Sequence, residues 1–228
     1  DQDFYSGGKP KIFLLGDSFT FGEGVAEDHI LSSLLEDRLS SYDVMNLGVP
    51  GYGTDQELLL LQQLDNTFRP KIIIVNYLVE NIARNDNQFR RLSNPSTGLD
   101  YEKPKFTIRD NELILLNEPT TKPELLDQLL RDNRTYSFKD YAKNCYSCVF
   151  FYQKTKNIFM QGRKFDIYRP SYEMNSSSWL LTKKILEEMK KEAGILDASL
   201  VIVVIPFQND VLYYTNQKLS YQLRFEEL

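Results

Sequence analysis

Three runs of this sequence are apolar without the alternation expected of a strand that has one wet face. They are Ile12-Phe13-Leu14-Leu15, Ile72-Ile73-Ile74-Val75 and Leu200-Val201-Ile202-Val203-Val204-Ile205. Gly16 closes the first, Pro70 stands just before the second, and Pro206 stops the third. Short apolar runs bounded in this way read as strands covered on both faces, the situation of strands in a parallel sheet. Asp43-Val44-Met45-Asn46-Leu47 reads as a further strand, closed by Gly48-Val49-Pro50-Gly51-Tyr52-Gly53.

Helical patterns fall between these strands. Asp28 suits the cap of a helix whose apolar face is Leu31, Leu34, Leu35 and Leu39. Thr54 begins another, with Glu57 three residues on as the partner of a capping box and Leu58 to Leu61 apolar nearly all round. A third starts at Ser176 and runs through Lys191, with Trp179, Leu186, Met189 and Ala193 facing inward and Gly194 ending it. Strands alternating with helices in this order predict an α/β fold with a central parallel sheet and right-handed connections.

Between Glu80 and about Pro170 the pattern changes. Phe106-Thr107-Ile108 and Leu113-Ile114-Leu115 flank Arg109-Asp110-Asn111-Glu112, which predicts a hairpin. Residues 124–131 look helical, and Ser137 suits the cap of a helix reaching Tyr152. Residues 86–170 therefore read as an α+β insertion after the third strand, lying over the mouth of the sheet, within one domain spanning residues 1–228. The aromatic residues between Tyr136 and Trp179 suit packing of that insertion onto the sheet, or a wall for a sugar or acyl group.

The 228 residues, 42% hydrophobic and 26% charged, are enough for one domain with a full core. A formal net charge of -5 argues against nucleic acid as a partner, since such proteins present a basic stripe. No apolar run approaches the roughly 18 residues of a membrane-spanning helix, so no membrane segment is expected. The sequence opens on Asp1 rather than Met and stops at Leu228 inside a helix-like segment, so a leader before it and further chain after it are expected. Cys145 and Cys148, the two cysteines, stand at C-x-x-C spacing, but with Tyr141 and Tyr152 they also form one helical stripe. One histidine and no second cysteine pair do not complete a four-ligand zinc site, so core packing is the reading taken and no metal is expected. Asn133-Arg134-Thr135 and Asn175-Ser176-Ser177 match N-x-[ST], a pattern short enough to arise by chance.

Parallel strands bring their carboxyl ends to one rim, where open α/β sheets place ligands. Ser18 follows the first strand, Gly51 the second and Asn81 the third. Acyl transfer needs such a set: a hydroxyl that attacks a carbonyl, and N–H donors that receive the charge developing on oxygen. Ser18 is the candidate nucleophile, and the backbone N–H groups of Ser18 and Gly51 with the Asn81 carboxamide are candidate oxyanion donors. Asp17 and Ser18 serve equally well as turn caps, so that reading stands beside the catalytic one.

These residues carry a resemblance to a known family. Gly16-Asp17-Ser18-Phe19-Thr20-Phe21-Gly22, Asn46-Leu47-Gly48-Val49-Pro50-Gly51 and Glu80-Asn81 resemble, in order and in placement after successive strands, the nucleophile, glycine and asparagine blocks of SGNH (GDSL-type) serine hydrolases. The resemblance covers residues 10–86 best and the strand at 200–206 more loosely. It implies a flavodoxin-like α/β/α sandwich and an ester hydrolase or O-acyltransferase working through an acyl-enzyme on Ser18. The oxyanion hole would be Ser18, Gly51 and Asn81, no cofactor is implied, and the substrate would be an acylated carbohydrate, a lipid or a small ester. It also leans towards an extracytoplasmic location, and leaves oligomeric state open.

Two departures stand out. The family usually has Gly-x-Asn-Asp where this chain has Val79-Glu80-Asn81-Ile82, so the Glu80 carboxylate either opposes an oxyanion or points into solvent. The family's base belongs to an Asp-x-x-His after a fifth strand, and this sequence contains neither, so the catalytic Asp and His are expected beyond Leu228. His29 reads as an exposed first-turn residue without a catalytic role. A catalytically inactive binding module using the same cleft is the alternative. A nucleotide or flavin binder fits less well, because residues 16–24 form neither a G-x-x-x-x-G-K-[ST] loop nor a G-x-G-x-x-G turn.

Overall fold

The computed structural model describes residues 8–64, 68–91, 100–120 and 176–205. The chain divides into two compact units, one of Asp1–Gln88, Pro104–Glu118 and Pro170–Leu228, the other of Phe89–Lys103 and Pro119–Arg169.

In the first unit, strands β1 (Lys11–Gly16), β2 (Asp43–Gly48) and β3 (Pro70–Leu78) and a last strand at Ser199–Ile205 form a parallel sheet. Its order is β2, β1, β3, then Ser199–Ile205. The chain leaves β1 for β2 on one side and then crosses back to β3 on the other, so β1 and β3 flank the point where the order reverses. This is the flavodoxin-like arrangement, in which the crevice at that reversal takes the ligand. Every residue of β1 is buried, as an apolar run in the middle of a parallel sheet requires.

The helices of this unit are α1 (Ser18–Phe21), α2 (Leu31–Arg38), α3 (Thr54–Gln63), α4 (Asn81–Asp86) and α5 (Ser177–Ile195), with a short 3-10 turn at Glu27–His29. Phe13, Leu15, Ile73, Val75 and Tyr77 occupy alternate positions and share one core with Leu58 and Leu61 of α3 and Trp179, Ile185, Leu186 and Met189 of α5. Phe68 meets Phe13 edge to face, with ring centroids 6.3 Å apart. The predicted hairpin forms as β6 (Lys105–Arg109) and β7 (Glu112–Leu116), which follow β4 (Phe89–Arg91) and β5 (Asp100–Glu102) of the second unit. Asp110 and Asn111 sit at φ 51° and 62°, the left-handed geometry that a two-residue hairpin loop needs and that Asn and Asp tolerate. Lys105 Nζ donates to the Asp86 carbonyl at 2.7 Å, fixing the hairpin to the end of α4. In the second unit, β4 pairs with β5 in antiparallel fashion.

Several expectations change. Among the described residues the strand Ser199–Ile205, β8, is last in the sheet order, and of its side chains Leu200, Ile202 and Val204 join the core. Val201 and Val203 on its other face are each 43% exposed. The α2 face of Leu31, Leu34 and Leu39 is exposed, and Ser32 is the buried residue instead. Asp28 does not cap α2; Ile30 precedes it without any side-chain cap. The α3 cap lies one residue earlier than expected, at Gly53, so Gln56 and not Glu57 accepts from the Gly53 N–H. Gly194 lies inside α5, which continues to Ile195 before Asp197 turns it off at φ 54°. Ser176 does cap α5, its hydroxyl accepting from the Trp179 N–H at 3.2 Å. The expected helices at 124–131 and 137–152, Cys145 and Cys148, both N-x-[ST] matches, the aromatic set other than Trp179, and the segment after Pro206 lie outside the described residues.

Candidate functional site

The chain turns from β1 into α1 with almost no room to spare. A Cβ on Gly16 would stand 2.1 Å from the Thr20 hydroxyl oxygen, so only glycine lets α1 fold back over the strand end. Asp17 caps this turn, its Oδ1 accepting from the Phe19 N–H at 3.0 Å. The cap reading of the sequence therefore holds for Asp17, while Ser18 is the half-buried first residue of α1.

The end of β2 is pinned to the same place. Val49 N–H donates to the Gly16 carbonyl at 3.0 Å. Asn46 Nδ2 donates to the Thr20 carbonyl at 2.8 Å and to the Ser32 hydroxyl at 3.3 Å, while its Oδ1 accepts from the Gly48 N–H. Those bonds explain why Ser32 faces the sheet rather than the leucines of α2. A Cβ on Gly48 would stand 2.5 Å from Phe21 N and 2.8 Å from Thr20 C, both backbone atoms. Gly48→Ala is expected to destabilise the fold by about 1–3 kcal/mol through this overpacking, read from urea unfolding. Gly194→Ala, where a Cβ meets nothing within 4 Å, should instead stabilise α5 by roughly 0.5–1 kcal/mol. Equal effects of the two substitutions would contradict this packing.

Gly51 lies in the turn after β2 at φ 84°, a conformation that suits glycine. Asn81 opens α4 directly after β3 and is fully buried. A residue the sequence reading passed over connects all three segments. Arg84 Nη1 donates to Asp17 Oδ2 at 2.6 Å, to the Tyr52 carbonyl at 3.1 Å and to Asn81 Oδ1 at 3.2 Å. Asp17 precedes Ser18 and Tyr52 follows Gly51, so one guanidinium nitrogen touches each strand-end segment that carries a candidate residue. The available signal was spacing: Asn81 and Arg84 are three apart, which puts them on one face of a helix. Glu80 points outward, with its exposed carboxylate accepting from Arg84 Nη2 at 3.3 Å.

Beneath this rim lies a buried polar layer. Asn85 Nδ2 donates to the Thr182 hydroxyl at 3.0 Å, and its Oδ1 accepts from the Asp55 N–H at 3.2 Å, tying α4 to α5 and α3. Asp17, Asp55 and Glu57 are all buried. Neither oxygen of Glu57 has a hydrogen-bond partner among the described residues. Burial, followed by the charges of Asp17 and Asp55, pushes its carboxyl up to about 8 against the opposing pull of Arg84. Asn81 Nδ2 is likewise buried without a partner among the described residues. His29 is exposed, and its Nδ1 lies 2.7 Å from Asp28 Oδ1. No cluster of three or more His, Cys, Asp or Glu side chains among the described residues is arranged to hold a metal ion, and no described helix is long and apolar enough to cross a membrane.

No family model matches the chain, and no curated protein matches it. Among solved structures it is similar to AlinE4, an SGNH-hydrolase family esterase, at 14% identity and a TM-score of 0.33, over 91% of this chain and 80% of that one. TesA matches at 13% identity and a TM-score of 0.30, over 82% of this chain and 99% of that one. A catalytic mutant of Axe2, an acetylxylan esterase from Geobacillus stearothermophilus, matches at 12% identity and a TM-score of 0.28, over 85% and 76%. What this chain is similar to, among proteins of known structure, includes esterases of the SGNH-hydrolase family.

Proposed function

We propose that the protein is a serine-dependent ester hydrolase or O-acyltransferase acting through an acyl-enzyme on Ser18. The observation that carries this reading is the Asn81 carboxamide. Its oxygen is held by Arg84, and its nitrogen is a buried donor without a partner among the described residues. A buried donor left unpaired costs about 1–3 kcal/mol, which makes sense where a ligand oxygen is to receive it. The segments carrying Ser18 and Gly51 meet at the same guanidinium.

In the first step Ser18 Oγ bonds to the ester carbonyl carbon, and the carbonyl electrons move onto oxygen. That oxyanion accepts from the N–H groups of Ser18 and Gly51 and from Asn81 Nδ2. Collapse expels the alcohol, which takes up a proton, and leaves the acyl group on Ser18. Water then attacks in a hydrolase, a second alcohol in a transferase. The proton of Ser18 must pass to a general base, a role assigned to none of the described residues. The substrate class is an acylated carbohydrate, a lipid or a small ester. One observation favours a second reading, a binding module without turnover: the single histidine of the sequence, His29, is exposed and already paired with Asp28.

An organophosphonate ester tests the choice. Full-length protein should gain one phosphonyl adduct, located on Ser18 by peptide mass analysis. Ligand binding without any adduct would favour the binding module, and an adduct on another residue would overturn the site.

A further inference from the structure

We propose that Arg84 is the positioning residue of this site, acting through Asn81 and never touching the substrate. The inference rests on the reading of Ser18, Gly51 and Asn81 as the oxyanion donors. A guanidinium carries donors only, so the carboxamide atom facing Arg84 Nη1 must be Oδ1. Asn81 Nδ2 is thereby committed to the opposite side, the orientation in which it can serve an oxyanion. A half-turn of the amide would set donor against donor and lose a charge-assisted bond.

The guanidinium is itself held. Asp17 Oδ2 receives Nη1 at 2.6 Å, and Asp17 Oδ1 is anchored by the Phe19 N–H at 3.0 Å. Asp17 is 1% exposed, so this ion pair is shielded from the solvent screening that weakens surface pairs. The third contact, to the Tyr52 carbonyl at 3.1 Å, fixes the backbone one residue after Gly51. Two protons on Nη1 are shared among three oxygens, one from each strand-end segment. The Ser18 and Gly51 amides and Asn81 Nδ2 are therefore referenced to a single nitrogen. Glu80, 51% exposed on its side chain, meets the other nitrogen at 3.3 Å, a surface contact outside this arrangement.

The test is a double-mutant cycle in the full-length protein, with p-nitrophenyl acetate as substrate. Arg84→Lys keeps a positive charge beside Asp17 but loses the planar fork. It should lower kcat about 10–100-fold with KM little changed, as misplacement of a transition-state donor does. Asn81→Ala alone should lower kcat about 10²–10³-fold. In the Asn81→Ala background Arg84→Lys should cost almost nothing more, because its effect runs through the missing carboxamide. Glu80→Gln should leave kcat unchanged. An equal fractional loss from Arg84→Lys in both backgrounds, or no loss in either, would overturn the inference while leaving the site intact. Wild-type kcat in Ser18→Ala or Asn81→Ala would remove the site itself, and the inference with it. If Arg84→Lys does not fold, Asp17→Asn combined with Arg84→Gln, which removes the cation together with the carboxylate it binds at 2.6 Å, replaces it with the same expectations and the same grounds for rejection.

Discussion

Ser18→Ala is expected to lower kcat/KM for p-nitrophenyl acetate by about 10⁴–10⁶-fold in the full-length protein. The size follows from what the substitution removes and what it leaves. It deletes the oxygen that forms the covalent bond, while alanine keeps the backbone N–H proposed as an oxyanion donor. The fold should survive, because the α1 cap belongs to Asp17 and the Ser18 side chain is half-buried. Circular dichroism and the urea midpoint should therefore match the wild type as activity disappears. Residual catalysis over water from the oxyanion donors and substrate binding is expected and does not contradict the account. Activity within tenfold of the wild type would contradict it.

The second large effect concerns stability rather than turnover. The Glu57 carboxyl has an ordinary value of 4.5 and stands at about 8 in the fold. Below about pH 4.5 it is protonated in both folded and unfolded chains, so its contribution is fully present. As pH rises from about 4.5 to about 8 the unfolded chain gives up this proton and the folded chain keeps it. Folding stability then falls by about 1.4 kcal/mol per pH unit, or about 5 kcal/mol in all, and the fall ends once both states are ionised. Glu57→Gln removes the titration. The variant should lose this slope and exceed the wild type in stability at pH 8, even after about 1–3 kcal/mol for its own unpaired amide. Urea unfolding of both proteins between pH 5 and pH 8 measures the difference. Parallel stability curves would show that Glu57 does not carry the proton assigned to it. The same cluster explains why a charge on Glu57 would sit so uneasily: Asp17 and Asp55 oppose it, and Arg84, which favours it, is bound directly by Asp17.

The parts of the fold legible in the sequence are those governed by local rules. The unalternating run at Ile12–Leu15 could only be a strand wrapped on both faces, and β1 is central. Asp110-Asn111 between two apolar runs signalled the hairpin because those two side chains tolerate positive φ. The start of the last helix at Ser176 was legible too, and that residue's hydroxyl caps it. Two of the failures involve something far away in the sequence, and a third is a local shift. The run at 200–205 looks as continuous as β1, but among the described residues nothing buries Val201 and Val203, and what covers a strand's second face is not encoded in the strand itself. The leucines of α2 repeat at helical spacing, yet Asn46, outside that helix, turns Ser32 towards the sheet. A one-residue shift of the α3 cap moved Glu57 from the surface role of a capping partner into the core.

The candidate site shows the same division. Ser18, Gly51 and Asn81 were singled out as candidates because each follows a recognisable strand. Arg84 was not, since its bond to Asp17 spans 67 positions and leaves no periodic trace. Its role emerged only from the geometry of three segments around one nitrogen.

The most direct measurement is a crystal structure of the full-length protein phosphonylated on Ser18. The phosphoryl oxygen should lie within hydrogen-bond distance, about 2.7–3.1 Å, of Ser18 N, Gly51 N and Asn81 Nδ2, with Asn81 Oδ1 still on Arg84. A phosphoryl oxygen turned away from Asn81, or an Asn81 amide out of its reach, would contradict the account.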